Sequence, residues 1–155
     1  MAVSRKVACP AYLFFNGETY KTSTVRGINP VYKTTGAACA DVSLPEQVVI
    51  QSHTCAKVDL YVGFDIPKGY KILMYPRSSL LVKYGILQPV SVIDYDYSCQ
   101  HVHVPLYNIT DKPVTFEKGM RVAQIECVPV YDCPDWNHED TKRDSNNGGF
   151  GSTGV

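Results

Sequence analysis

The chain lacks a long apolar run, a surplus of charge of either sign, and almost any helical periodicity. Its 15 Lys and Arg are matched by 15 Asp and Glu over 155 residues, and the basic ones are scattered. No continuous electrostatic track exists for duplex nucleic acid or an anionic membrane, so neither is expected as a partner. There is also no stretch of about 18 apolar residues, the length a membrane-crossing helix needs. The opening MAVSRKVACPAYLFF holds no apolar run of signal-peptide length, so the expected location is cytoplasmic or nuclear and not secreted. The six cysteines (Cys9, Cys39, Cys55, Cys99, Cys127 and Cys133) lack paired short spacings, which points away from a disulfide framework and toward buried free thiols. His101 and His103 share a strand face but have no third ligand nearby in sequence, which makes a structural or surface role the reading. Asp59 and Asp65 are read as solvated or turn residues, and Trp136 and His138 as packing and loop residues.

What is present is a series of short strand signals. Segments 48–50, 56–62, 70–75, 101–107, 113–116 and 121–131 are rich in Val, Ile and Tyr and are separated by Pro and Gly. Ile66-Pro67-Lys68-Gly69 has the residues of a tight turn, and 78–83 offers one or two turns of helix ended by Gly85. Residues 1–36 mix short apolar pieces with turn formers. These features predict an all-β fold, a sandwich or barrel, in a single domain over 1–143. Residues 144–155 carry four glycines with Asn and Ser, the composition of a mobile arm. Phe150 stands alone among those glycines, whose amides can reach a ligand, so a phosphate lid is a second reading of the arm.

The most chemically loaded stretch is SVIDYDYSCQ at 91–100. Apolar residues flank two carboxylates and two tyrosines, which reads as a hairpin with a polar tip. Wherever the backbone stays extended, Asp94 and Asp96 share one face and Tyr95 and Tyr97 the other. A solvated turn is the plainer reading of an Asp-rich tip.

Five segments in order lower the weight of that plainer reading: ACADV at 38–42, PRSSL at 76–80, SVIDYDY at 91–97, KGMRVAQ at 118–124 and GGFGSTG at 148–154. Their order and spacing resemble the motif set of the trimeric deoxyuridine triphosphatases (dUTPases). The resemblance implies a jelly-roll-type β-barrel, a homotrimer with active sites shared among subunits, and Mg2+-assisted hydrolysis of dUTP to dUMP and pyrophosphate. It implies that Asp94 holds the attacking water and that Asp41 helps to place a hydrated magnesium ion, with no direct protein ligand to the metal. Arg77, Ser78, Ser79 and Gln124 match phosphate-contacting positions, joined by Arg143, Ser152 and Thr153 from the arm, with Lys142 an alternative donor to Arg143. Gln88, Val92, Ile93, Tyr97 and Phe150 match positions that hold uracil and deoxyribose, Tyr97 under the sugar and Phe150 stacked on the base. Asp96 is read as a structural partner that holds the hairpin.

The sequence departs from the family pattern at Ser79 and Ser91, which replace common glycines, and at Ser98-Cys99-Gln100. Two rival readings follow. The related dCTP deaminases also carry Arg-Ser-Ser-Leu, but they use a glutamate on the strand after the hairpin, where HVHVPLYN has Pro105 and no acid. The other rival is a regulatory binding protein that keeps the fold with weakened catalysis.

Overall fold

The computed structural model describes residues 27–97 and 100–136, together with the backbone of strands 12–15 and 18–19. The described residues form twelve strands: β1 Tyr12–Phe15, β2 Glu18–Thr19, β3 Ala40–Ser43, β4 Val48–Ile50, β5 Cys55–Asp59, β6 Gly63–Asp65, β7 Tyr70–Pro76, β8 Ile86–Leu87, β9 Ser91–Ile93, β10 His103–Asn108, β11 Val114–Phe116 and β12 Arg121–Pro129. They form four small antiparallel sheets, ordered β2-β1-β6, β5-β10-β8, β11-β4 and β3-β12-β7-β9, in a distorted jelly-roll-type barrel. The region before residue 36, read from sequence as short apolar pieces mixed with turn formers, contributes β1, which pairs with β6 across Tyr12↔Asp65. Among the described residues no helix is long and apolar enough to cross a membrane.

The core follows from period-two alternation. On β7 Ile72 and Met74 point inward while Leu73 and Tyr75 face outward, and on β10 Val104, Leu106 and Asn108 are buried while Tyr107 is exposed. Phe116, Leu44, Ile50, Leu60, Ile66 and Leu80 fill the interior. Asn108 is a fully buried polar residue and is fully satisfied: its Nδ2 donates to Ile50 O at 3.0 Å and Lys112 O at 2.8 Å, and its Oδ1 accepts from Thr110 N and Oγ1. It ties the 108–112 turn to β4.

β12 breaks the alternation once. Val122 and Ala123 are consecutive and both fully buried, because the pairing with β3 slips between Arg121 and Ala123. This β-bulge adds one residue to the strand, so Arg121 and Gln124, which strict alternation would put on opposite faces, both face outward.

The helix α1, Ser78–Tyr84, starts directly after β7 and ends at Gly85, whose φ of 64° is left-handed and whose amide donates to Leu81 O at 3.0 Å. The chain between Asp59 and Gly63, expected as continuous strand, turns instead at Tyr61, which has φ 50°. The thiols expected to be buried form no disulfide among the described residues but are not fully buried either: Cys55 is exposed, Cys39 and Cys133 are half-buried outside the strands, and Cys127 is half-buried on β12 against the core. Trp136 is 76% exposed and packs into no core.

Candidate active site

The structure gathers the residues singled out from the sequence into two groups. The first lies on the outer face of the β3-β12-β7 sheet. Register places Asp41 of β3 opposite Gln124 of β12, and Gln124 opposite Tyr75 of β7. Asp41 is held on both oxygens: Arg77 Nε lies 3.2 Å from Oδ1 and Arg121 Nη1 lies 2.7 Å from Oδ2. Arg77 Nη1 also donates to the backbone oxygen of Arg121 at 3.1 Å, and Gln124 Nε2 donates to Pro76 O at 3.0 Å. Two guanidinium groups share one carboxylate, which leaves the cluster with a net positive charge and planar donors suited to phosphate oxygens. Ser78, exposed, and Ser79, half-buried, follow Arg77 at the start of α1.

Beside this group, Tyr75 Oη donates to Glu126 Oε1 at 2.6 Å, and the Tyr75 hydroxyl is held above its usual range chiefly by that bond. Burial, with Glu126 and Asp41 nearby, pushes the Cys39 thiol up.

The second group surrounds a cleft of about 180 Å³ lined by Met74, Ser91, Val92, Ile93, Tyr97, Val102 and His103. Val92 and Ile93 line this cleft, but β9 and the strand that follows it, β10, do not pair as a hairpin. β9 pairs with β7 (Ile93↔Ile72, Ser91↔Met74), whereas β10 pairs with β5 and β8. Between them a 3₁₀ turn, Tyr95–Tyr97, opens with Tyr97 N donating to Asp94 O at 3.0 Å. The stretch is a corner joining two sheets, and the expected two-faced alternation of Asp and Tyr is replaced by a helical turn. The reason is that each flanking strand finds its hydrogen-bond partners elsewhere. Asp94, Tyr95 and Asp96 are exposed on this corner.

Tyr97 reaches back into the cleft, its hydroxyl donating to His101 O at 3.0 Å; burial, then the charge of Asp59, raises its pKa. Gln88 is not part of the cleft wall. It is 8% exposed, and its amide nitrogen and oxygen are both buried without a hydrogen-bond partner among the described residues. Arg143, Phe150, Ser152 and Thr153, with Lys142, Ser98, Cys99 and His138, lie outside the described residues.

Two residues of the site escaped the sequence reading. Arg121 sits within KGMRVAQ, but its parity relative to Gln124 assigns it to the other face unless the bulge is known. Asp59, read as a turn residue, accepts from Tyr61 N at 2.7 Å as a turn aspartate does, and its other oxygen lies 3.1 Å from His101 Nδ1 and 3.8 Å from His103 Nε2. Among the described residues no group of three His, Cys, Asp or Glu is placed to hold a metal ion.

Comparison with known proteins agrees with this geometry. The family model described as dUTPase matches residues 26–154. A deoxyuridine 5'-triphosphate nucleotidohydrolase of Hydrogenobaculum sp. is 35% identical over 130 residues, covering 81% of this chain and 90% of that protein. The protein of the same name from Desulfotalea psychrophila is 34% identical over 152 residues, covering 93% and 96%. Among solved structures, the dUTPase of Streptococcus mutans superposes with a TM-score of 0.64 at 29% identity, covering 67% of this chain and 87% of that one. A mutant dUTPase of Staphylococcus bacteriophage 80alpha, solved with dUpNHpp, shares the fold at TM-score 0.69 and 21% identity, covering 94% and 98%. With a family model matching most of the chain and relatives matching over most of their own length, the chain belongs to the dUTPase family.

Proposed function

We propose that this protein is a dUTP diphosphatase that hydrolyses dUTP to dUMP and pyrophosphate, the activity named for its relatives. The observation that carries the reading is the Arg77–Asp41–Arg121 cluster with Gln124 beside it, because these side chains come from three separate motifs and converge on one face. Phosphoryl transfer asks the protein mainly for positioning and charge stabilisation. Arg77 and Gln124 hold phosphate oxygens, with Ser78 and Ser79 as neighbouring donors, and Asp41 with Arg121 fixes the angle of the Arg77 fork. Asp94, exposed on the corner after β9, orients the attacking water toward the α-phosphate. Val92, Ile93 and Tyr97 form the nucleoside cleft, with Tyr97 beneath the deoxyribose.

Magnesium fits this site as an ion carried by phosphate oxygens and waters. Asp41 has an arginine on each oxygen, and in this reading it acts from outside the water shell of the metal. When bound, the ion neutralises charge on the triphosphate. The working assembly is a homotrimer that combines the phosphate cluster of one subunit with the corner of another and the 144–155 arm of a third, bringing Phe150, Arg143, Ser152 and Thr153 to the ligand. The two relatives compared above are bacterial, which supports a cytoplasmic enzyme and lends nothing to a nuclear one.

The deaminase reading finds no acid on β10, where Pro105 stands opposite Lys57. A panel of dUTP, dCTP, dTTP and UTP with magnesium, read for both pyrophosphate and ammonia, tests the proposal. Pyrophosphate from dUTP well above the other three is expected; equal turnover of dCTP, or any ammonia, would overturn it.

A further inference from the structure

Tyr97 is the aromatic part of the cleft wall, and its ring can act as the floor for a sugar only if it is held still. The 3₁₀ turn fixes its backbone, Tyr97 N donating to Asp94 O at 3.0 Å, and the side chain packs against the core. The far end of the ring is tied by its hydroxyl, which donates to the backbone oxygen of His101 at 3.0 Å. How firmly the ring is held therefore depends on how firmly His101 is held. His101 precedes β10 and is seated on the 59–62 turn. Its Nδ1 lies 3.1 Å from Asp59 Oδ2, and Tyr61 meets its ring edge-on at 5.8 Å between centroids. The next residue is bonded to the same turn through its backbone, Leu60 N donating to Val102 O at 3.0 Å and Val102 N to Val62 O at 2.8 Å. Asp59 also sets the turn itself, because its Oδ1 accepts from Tyr61 N at 2.7 Å. Tyr61 has φ 50°, a backbone conformation that a bulky residue keeps only where its surroundings impose it. One half-buried carboxylate thus fixes both the turn and the imidazole that lies on it.

Resting on the dUTPase reading, in which Tyr97 lies beneath the deoxyribose, we propose that Asp59 and His101 are positioning residues for sugar selection. Asp59 holds His101, His101 holds the Tyr97 hydroxyl, and the ring keeps its place under C2′ of the sugar. A ring fixed there leaves no space for a 2′-hydroxyl, whereas a ring free to rock admits one. Both residues act through Tyr97, and both lie outside the 91–97 motif that supplies the ring. The link between Asp59 and Tyr97 is made by the fold, since it runs from the end of β5 through the segment that leads into β10. A displaced ring weakens the discrimination between deoxyribose and ribose by about the worth of the hydrogen bond that held it, which is three- to tenfold.

The test is the ratio of kcat/KM for dUTP to that for UTP, measured with magnesium on the full chain and on Tyr97→Phe, His101→Ala, Asp59→Ala, Asp59→Asn and the double variant Tyr97→Phe with His101→Ala. This ratio does not depend on how much of the enzyme is folded, so a general loss of stability cannot imitate the effect. Tyr97→Phe, His101→Ala and Asp59→Ala should each lower it about three- to tenfold. Asp59→Asn keeps an acceptor for Tyr61 N and a partner for the His101 ring, and should retain most of the selectivity. The double variant should match Tyr97→Phe alone, because without the hydroxyl His101 has nothing to hold. If Asp59→Ala does not fold, Tyr97→Phe, His101→Ala and their combination decide the matter. A ratio within about twofold of the unmodified chain for either Tyr97→Phe or His101→Ala, or losses that multiply in the double variant, would overturn this inference while the functional reading stands. A full chain that turns over UTP as readily as dUTP, or neither, would remove that reading as well.

Discussion

Arg121 shows how a single residue can be misplaced by pattern and restored by geometry. Its motif was legible, but its function depends on reaching Asp41 at 2.7 Å across the bulge. Its backbone oxygen also accepts from Arg77, so the residue holds both the carboxylate and the second guanidinium. Arg121→Gln removes a charge-assisted bond of the kind worth about 1.5–3 kcal/mol, and kcat/KM for dUTP is expected to fall about tenfold to a hundredfold. Steady-state kinetics on a variant with unchanged thermal stability would check it; a value within twofold would leave Arg121 outside the positioning network. Asp41 is held by the same contacts, one arginine on each carboxylate oxygen.

At the scale of elements, the join between α1 and β8 carries the tightest constraint. Gly85 closes the helix in a left-handed conformation, and a Cβ there would collide with Thr110 Cγ2. Thr110 cannot easily move, because its amide and hydroxyl are both bonded to Asn108 Oδ1. Gly85→Ala is therefore expected to cost about 2–4 kcal/mol, the sum of backbone strain and overpacking. Thr110→Ser in the same chain deletes the offending methyl and keeps the hydroxyl, so it should recover the packing part and leave the conformational part. Urea denaturation of the single and double variants separates the two, and equal stability of both would show that the methyl is not the obstacle. The consequence reaches function because α1 carries Ser78 and Ser79 beside Arg77.

At the scale of the whole molecule, the proposed homotrimer joins the two groups of site residues across subunits. Arg77→Ala and Asp94→Asn are each expected to abolish turnover when purified alone. Refolded together in equal amounts, random trimers would hold about a quarter of sites with Arg77 intact on one subunit and Asp94 intact on its neighbour. Activity near that fraction is the expected result. Continued inactivity of the mixture would place both residues in a site within one chain and remove the shared-site arrangement.

The β class, the helix ended by Gly85 and the identity of the motif residues were all determined by the sequence, because alternation, turn chemistry and ordered short motifs are local properties. Asp41, Arg77 and Gln124 were singled out through the family resemblance that those motifs carry. Tertiary structure alone decided three things. Register and a one-residue bulge put Arg121 on the same face as Gln124. Competition among strands for partners turned 91–100 from a hairpin into a corner, since β7 offered β9 a ladder that β10 did not. Finally, pairing of β5 with β10 brought Asp59 against two histidines 42 and 44 positions away, a contact between distant residues that no local pattern encodes.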